Sequence, residues 1–354
     1  MAATNLAVAY LNAQRPAEAV DACYRALSVQ QEQDGSLNEE AFANLNIALR
    51  ICNQRQRAIE ETWIKIASLS TNPTAFCRPR TFCPGRDKTL SKSQQHVSVV
   101  CVKWGQKYGA DYVNRLMRAV SSIGLQNVEH SFVCFTDDAH GLDPRIQVVP
   151  LEDKGPNFQG WWYKASLFRG NCAELNNSRV RGKYSHDDKN GDAQSANKDK
   201  HAKALKKRNL VLYLDLDTVI VGSLCPLLDY SGGFATLGGG DFSAEESIVG
   251  GYNSSVMLWD TTAQDNGSGK LSTLHDALTP NVLKCLMRWD HWVEMIIPEA
   301  HIIQDIFPGV VVDYRKHCTS AGPPPTAAIV CFPRFPKPHQ VEDAWVVKNW
   351  RTSS

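Results

Sequence analysis

Residues 209–221 read Asn-Leu-Val-Leu-Tyr-Leu-Asp-Leu-Asp-Thr-Val-Ile-Val, and no other stretch restricts the fold as much. Leu210, Val211, Leu212, Tyr213 and Leu214 show no polar alternation, the pattern of a strand covered on both faces inside a largely parallel sheet. The run leads directly into Asp215 and Asp217, and apolar character resumes at Val219. Carboxylates at the end of a core strand are expensive to desolvate unless a cation or hydrogen bonds compensate. Residues i and i+2 of a strand share a side, so the two carboxylates are expected to converge on one hard cation that prefers oxygen, Mn²⁺ or Mg²⁺. Phosphate oxygens and water would complete its shell. Asp-x-Asp alone is common, and one Asp capping a helix while the other faces solvent is the plainer reading. The buried strand in front of it favours the metal.

The region before this strand alternates. A strand is expected over 97–102, and a helix over 110–123 with Tyr112, Val113, Leu116, Ala119, Val120 and Ile123 on one stripe. A second strand over 131–136 ends in Asp137 and Asp138, and a short third covers 146–150. Strand–helix–strand order predicts an α/β sheet with a ligand crevice at the strand C-terminal ends.

Residues 1–70 repeat themselves: Asn5 matches Asn44 at an offset of 39, and the same offset pairs Tyr24 with Trp63 and Ala19 with Ala58. Small residues at Ala9 and Ala19 would let two helices approach, with Gln14, Arg15 and Pro16 as the turn and Pro16 at a helix start. This resembles a pair of tetratricopeptide units, with the extra length over the usual period of about 34 falling in the polar stretch around Gly35. Two units are too few for a free-standing solenoid, so they are expected to dock on the second domain, the alternative being that the chain has lost repeats upstream. No candidate site residue lies before Val97, and the repeats therefore read as a docking or targeting module for a protein partner. Residues 71–95, broken by Pro73, Pro79, Pro84 and Gly85, read as a linker to a domain over 96–354. Residues 176–208 are polar and rich in Lys, Asp, Asn and Ser, the composition of a disordered surface insertion. Residues 263–271 read as a smaller one.

Charge excludes some functions. With 38 Lys+Arg against 37 Asp+Glu, nothing points to nucleic acid or an anionic membrane as the main partner. No window approaches the roughly 18 apolar residues of a membrane span. The first residues lack the basic and apolar regions of a secretory signal. Eleven scattered cysteines, an odd number, read as reduced thiols of a cytoplasmic protein. Cys77 and Cys83 lie close together, but no second pair completes a zinc site.

Three further segments carry chemistry. Gly160, Trp161, Trp162, Tyr163 and Lys164 place a lysine among aromatics at a helix start, suited to a diphosphate, although a lysine snorkelling from core aromatics would look the same. Gly250, Gly251, Tyr252, Asn253 and Ser254 run into an apolar strand and set polar groups for sugar hydroxyls, although Asn and Ser are also ordinary turn residues. Pro333, Arg334, Pro336, Lys337, Pro338 and His339 put cations on a proline-stiffened loop, suited to a leaving diphosphate or simply to solvent.

Taken in order, these four segments resemble the GT-A nucleotide-diphospho-sugar glycosyltransferases, and most of all the glycogenin/galactosyltransferase-like group. The likeness covers roughly residues 97–350. It implies a Rossmann-like GT-A domain preceded by a small all-α repeat region, a uridine diphosphate sugar or similar donor, and a glycan, lipid or protein acceptor. Val102, Lys103 and Tyr108 resemble the group's nucleotide-binding first strand and turn, and Gln304 and Asp305 its element near the acceptor sugar. Asp215, Asp217, Lys164, Asp305 and Lys337 are then the expected catalytic set. Val102, Lys103, Tyr108, Trp161, Trp162, Asn253, Ser254 and Gln304 are the expected substrate contacts. One departure stands out. The group carries a histidine before its Lys-Pro pair as third metal ligand, where this chain has Pro333 and Arg334. Either His339 takes the metal from a shifted position or the metal has two protein ligands.

Two other readings compete. A haloacid dehalogenase-type phosphatase would use Asp215 as nucleophile, but its motif ends the first strand of its domain, and here strands and a helix precede it. A catalytically inactive scaffold would leave Asp215 and Asp217 without a purpose.

Overall fold

The computed structural model describes residues 2–34, 38–52, 54–69, 95–151, 158, 160–172, 208–242, 251–261, 267–286 and 288–351. Most of the expected linker, most of the 176–208 insertion, and Gly35, Cys77, Cys83 and Gly250 lie outside them.

Four helices open the chain: α1 (Ala2–Asn12), α2 (Pro16–Asp34), α3 (Glu39–Ile51) and α4 (Arg55–Leu69). Pro16 starts α2, after a turn in which Gln14 takes φ 57°. Asn38 caps α3 by accepting the Ala41 N–H at 2.9 Å. Their shared core is small residues and leucines: Ala7, Ala19, Leu45, Ala48, Leu49 and Ala58 are fully buried. Ala9, expected at the close approach, is exposed, whereas Ala7, two residues earlier, is fully buried in the shared core.

The remaining chain is a mixed α/β protein built on a seven-stranded sheet. Its strands are β1 (Gln95–Lys103), β2 (His130–Thr136), β3 (Gln147–Pro150), β4 (Arg208–Leu214), β6 (Phe234–Gly238), β7 (Tyr252–Asp260) and β8 (His301–Ile302). They lie in the order β3-β2-β1-β4-β7-β6-β8. β1, β2, β3 and β4 run parallel, while β7 pairs antiparallel with both β4 and β6. A small second sheet joins β5 (Thr218–Ile220), β10 (Ile329–Cys331) and β9 (Val311–Asp313).

Both faces of the large sheet are covered, which explains the unbroken apolar runs. Val97, Val99, Cys101, Leu210, Leu212 and Leu214 point into one core with α5 (Ala110–Ala119). Val100, Val102, Val211 and Tyr213 point into the other. That second core is closed by the 3-10 helix Gly160–Cys172, by the helices Gly267–Thr273, Pro280–Cys285 and Trp289–Ile296, and by Ile59 and Ile66 of α4. The helix expected over 110–123 ends its α geometry at Ala119 and continues as a π turn, Val120–Gly124. The expected 263–271 insertion is described only from Gly267, where the chain is helical and buries Leu271.

Candidate active site

The central strand β4 ends at Leu214, and the chain turns before β5 begins at Thr218. Asp215 and Asp217 therefore stand in a tight turn, not in the strand that the i, i+2 argument assumes. The Thr218 N–H and hydroxyl both donate to Asp215 O, at 3.2 and 2.8 Å, and close the turn. The Asp215 N–H donates to Ser255 O of β7 at 2.9 Å. The turn, held from two sides, brings both carboxylates to the floor of a cleft of about 770 Å³.

Each carboxylate has a lysine and a tyrosine. Lys164 Nζ lies 2.9 Å from Asp215 Oδ1 and donates to the carbonyl and hydroxyl oxygens of Ser254, both at 3.1 Å. The Tyr213 hydroxyl donates to Asp215 Oδ1 at 2.6 Å. Lys337 Nζ donates to Asp217 Oδ2 at 2.7 Å and to Phe332 O at 2.6 Å, and the Tyr108 hydroxyl donates to the same Oδ2 at 3.0 Å. Burial, and then the neighbouring Asp215, push the Asp217 carboxyl above the usual carboxylate range, against the pull of Lys337 and Tyr108. Burial and the two aspartates push the phenols of Tyr108 and Tyr213 upward, which keeps them protonated donors.

The lining also carries Lys107, Arg288, Asp290 and Arg334, making five cations among the described residues against three carboxylates, Asp215, Asp217 and Asp290. Asp290 pairs with Arg288 at 3.6 Å and accepts the Ser254 N–H at 2.9 Å. Arg334 lies 3.7 Å from Asp313, and its Nε and Nη2 are buried without a hydrogen-bond acceptor among the described residues. A cleft that combines an acidic pair with surplus cations suits a ligand that combines a divalent cation with a polyanion.

The expected site residues divide. Val102, Tyr108, Trp161, Lys164, Asp215, Asp217, Asn253, Ser254 and Lys337 line the cleft. Trp161 is 54% exposed there, while Trp162 is buried in the core. Lys103 turns away and donates to Asp138 O at 3.1 Å. Gln304 grips both backbone groups of Gly238, at 3.1 and 3.2 Å, and neither it nor the exposed Asp305 is part of the lining. His339 is exposed outside the lining, with Nδ1 hydrogen-bonded to the Tyr112 hydroxyl and its ring near Trp350. Pro333 and Arg334 line the cleft instead.

Sequence reasoning passed over Tyr213, Arg288 and Asp290. Tyr213 reads as one more apolar strand residue, and Asp290, in the first turn of Trp289–Ile296, reads as an ordinary helix-start acid.

As to a metal, Asp215 and Asp217 fit Mn²⁺ or Mg²⁺ in donor type and number, because such ions are often held by one or two carboxylates with substrate phosphates completing the shell. Both contacts to Asp217 fall on Oδ2, which leaves Oδ1 available to a cation. Among the described residues no cluster of three His, Cys, Asp or Glu side chains is placed to hold a metal.

No family model matches the chain, and no curated protein sequence matches it closely. Among solved structures it is similar to the galactosyltransferase LgtC in complex with donor and acceptor sugar analogues, at 13% identity over 72% of this chain and 94% of that one, with a TM-score of 0.43. It is similar to the bifunctional glycosyltransferase WbbM at 11% identity, over 72% of this chain and 50% of that one, with a TM-score of 0.41. Mouse xyloside xylosyltransferase 1 aligns at 14% identity over 67% and 97% of the two chains, with a TM-score of 0.34. No residue correspondence follows at those values.

Proposed function

We propose that this chain is a glycosyltransferase that moves a sugar from a nucleotide-diphosphate donor, a uridine diphosphate sugar in the first instance, to a glycan, lipid or protein acceptor. The observation that carries the reading is the carboxylate pair on the floor of a cation-rich cleft at the C-terminal end of the central strand. A polyanion alone would be repelled by Asp215 and Asp217, and a metal alone would not need five cations around it.

Asp215 and Asp217 would hold Mn²⁺ or Mg²⁺, which when bound neutralises negative charge on the donor's phosphates. Everything else falls to the chain's own groups. Lys164 stands beside Asp215 and Ser254, within reach of the same phosphates. Tyr108 and Tyr213 fix the two carboxylates by donating to them. Asp290 holds the Ser254 backbone and thereby the rim where Asn253 meets the sugar. Trp104 and Trp161 offer aromatic faces to the base or the sugar. Lys337 is buried between Asp217 and Phe332 O, and a diphosphate arriving beside Asp217 offers its ammonium a better-matched partner.

The direct test is a thermal-shift panel of nucleoside diphosphates and nucleotide sugars, with and without Mn²⁺. A bound donor at a hundred times its dissociation constant should stabilise the chain by ~2.7 kcal/mol. No shift with any nucleotide under either condition would overturn the reading.

The C-terminal loop gives a second expectation. Charge on the diphosphate grows toward the transition state, so a cation on the leaving group acts mainly on turnover. Lys337→Ala should lower kcat by roughly 100-fold while donor KM moves much less. His339→Ala should leave both near the wild-type values, because its ring packs outside the cleft. Equal kcat for wild type and Lys337→Ala would remove the loop from the site.

A further inference from the structure

We infer that the N-terminal helices are a working part of the donor site, with Arg55 of α4 positioning the strand and the helix that carry Asn253, Ser254 and Asp290. The inference rests on the reading that this cleft holds a nucleoside diphosphate.

Glu294 of the helix Trp289–Ile296 is completely buried. Its carboxylate is met by two cations from the N-terminal region: Arg50 of α3 on Oε2 and Arg55 of α4 on Oε1. His291 stands nearby, but burial and the charges of Arg50 and Arg288 hold its imidazole well below the usual range, so it stays neutral at physiological pH. The guanidinium of Arg55 also lies 5.2 Å from the centre of the Tyr252 ring. Tyr252 opens β7, and its hydroxyl lies 3.0 and 2.8 Å from the carbonyls of Ile297 and Pro298, which follow the same helix. It also accepts the Ala300 N–H at 3.1 Å. Arg55 thus sits where the start of β7 meets the end of that helix.

Both elements lead to the cleft within one turn or one residue. Asn253 and Ser254 follow Tyr252 directly and line it. Asp290 precedes Glu294 by four residues, one helical turn on the same face. Its carboxylate accepts the Ser254 N–H at 2.9 Å, so helix and strand are joined again inside the site. A shift of the helix relative to β7 would break that bond and move Arg288. Buried ion groups are weak contributors to stability compared with a well-packed apolar replacement, and their best-attested use is to fix register. Here the register fixed is that of the two elements that build one wall of the cleft. Lysine cannot replace Arg55 fully, because one ammonium does not span a carboxylate and a ring as a planar guanidinium does.

The test uses the full chain and measures UDP affinity with Mn²⁺ by calorimetry, with circular dichroism and the melting midpoint as controls. Arg55→Met, which leaves Arg50 to balance Glu294, should weaken UDP about tenfold with the spectrum unchanged, and Arg55→Lys about threefold. In an Asp290→Asn background, Arg55→Met should cost much less than in the wild type, because the two act through one contact. A purely structural role would lower the melting midpoint and leave UDP affinity intact, or give costs that simply multiply, and either result overturns the inference. Should Arg55→Met not fold, Arg55→Lys decides: affinity equal to wild type overturns it. A wild-type chain that binds no nucleoside diphosphate overturns the proposed function and this inference together, whereas tight wild-type binding with indifferent variants overturns this inference alone.

Discussion

Asp217→Asn is expected to abolish Mn²⁺-dependent nucleotide binding while the chain keeps its fold. The substitution keeps volume and an acceptor for Tyr108 and Lys337, which contact Asp217 Oδ2 at 3.0 and 2.7 Å. It removes the charge that makes the group a ligand for a hard cation. Losing even a group that only orients a metal ligand costs 10- to 100-fold in metal affinity, so losing a ligand should cost ~100-fold or more. Two effects on stability oppose each other. Burial and Asp215 make the Asp217 charge unfavourable in the free protein, so an uncharged amide relieves that cost. Lys337, itself buried, loses its counter-charge. The melting midpoint should therefore move little compared with the binding. Calorimetry of UDP with and without Mn²⁺ checks it, and undiminished Mn²⁺-dependent binding by the mutant would sink the metal assignment.

How much of this site was legible depends on which signal each residue carries. The strands β1, β2 and β4 could be read because strands covered on both faces are written as continuous apolar runs. Asp215 and Asp217 could be found because paired charge at the end of such a run is conspicuous. Their geometry could not: strand pleating would place both carboxylates on one side, but the chain brings them together through a turn tied to Ser255 and Thr218. Lys164 and Lys337 stood in short motifs rich in aromatics or prolines, whereas the partners they meet lie 51 and 120 residues away. Arg288 and Asp290 looked like the start of any helix, since a contact with Ser254 leaves no local mark. His339 drew notice as a nearby imidazole, but Pro338–Gln340 forms a 3-10 turn that leaves it exposed against Tyr112 and Trp350. Register and side-chain direction of that kind are set by tertiary packing, which a local pattern does not encode.

The N-terminal helices α1–α4 are where local pattern and packing diverge most, and they give the last expectation. Among the described residues they have a core of their own, in which Ala7, Ala19, Leu45 and Ala48 are fully buried. Packing gives them a second set of duties. Ile59 and Ile66 lie in the same core as Trp259, Trp289 and Trp292, with Trp63 against its edge. Arg50 and Arg55 supply the cations that bond Glu294, whose side chain is only 1% exposed. A chain beginning near Ser91 would bare that apolar surface and leave Glu294 without either cation. Removing one partner from a buried ion pair typically costs ~3–5 kcal/mol, and exposing the apolar surface that α4 covers would add to it. That is a large share of the ~5–15 kcal/mol by which domains are usually stable. Such a truncation is therefore expected to melt many degrees lower, or not to accumulate as folded protein, and to bind UDP poorly. The measurement is a melting midpoint and a UDP titration of the truncated chain beside the full one. If the truncated chain melts with the full one and binds UDP as tightly, the N-terminal helices are an independent module resting on the domain, and the ion group of Arg50, Arg55 and Glu294 carries no weight in the site.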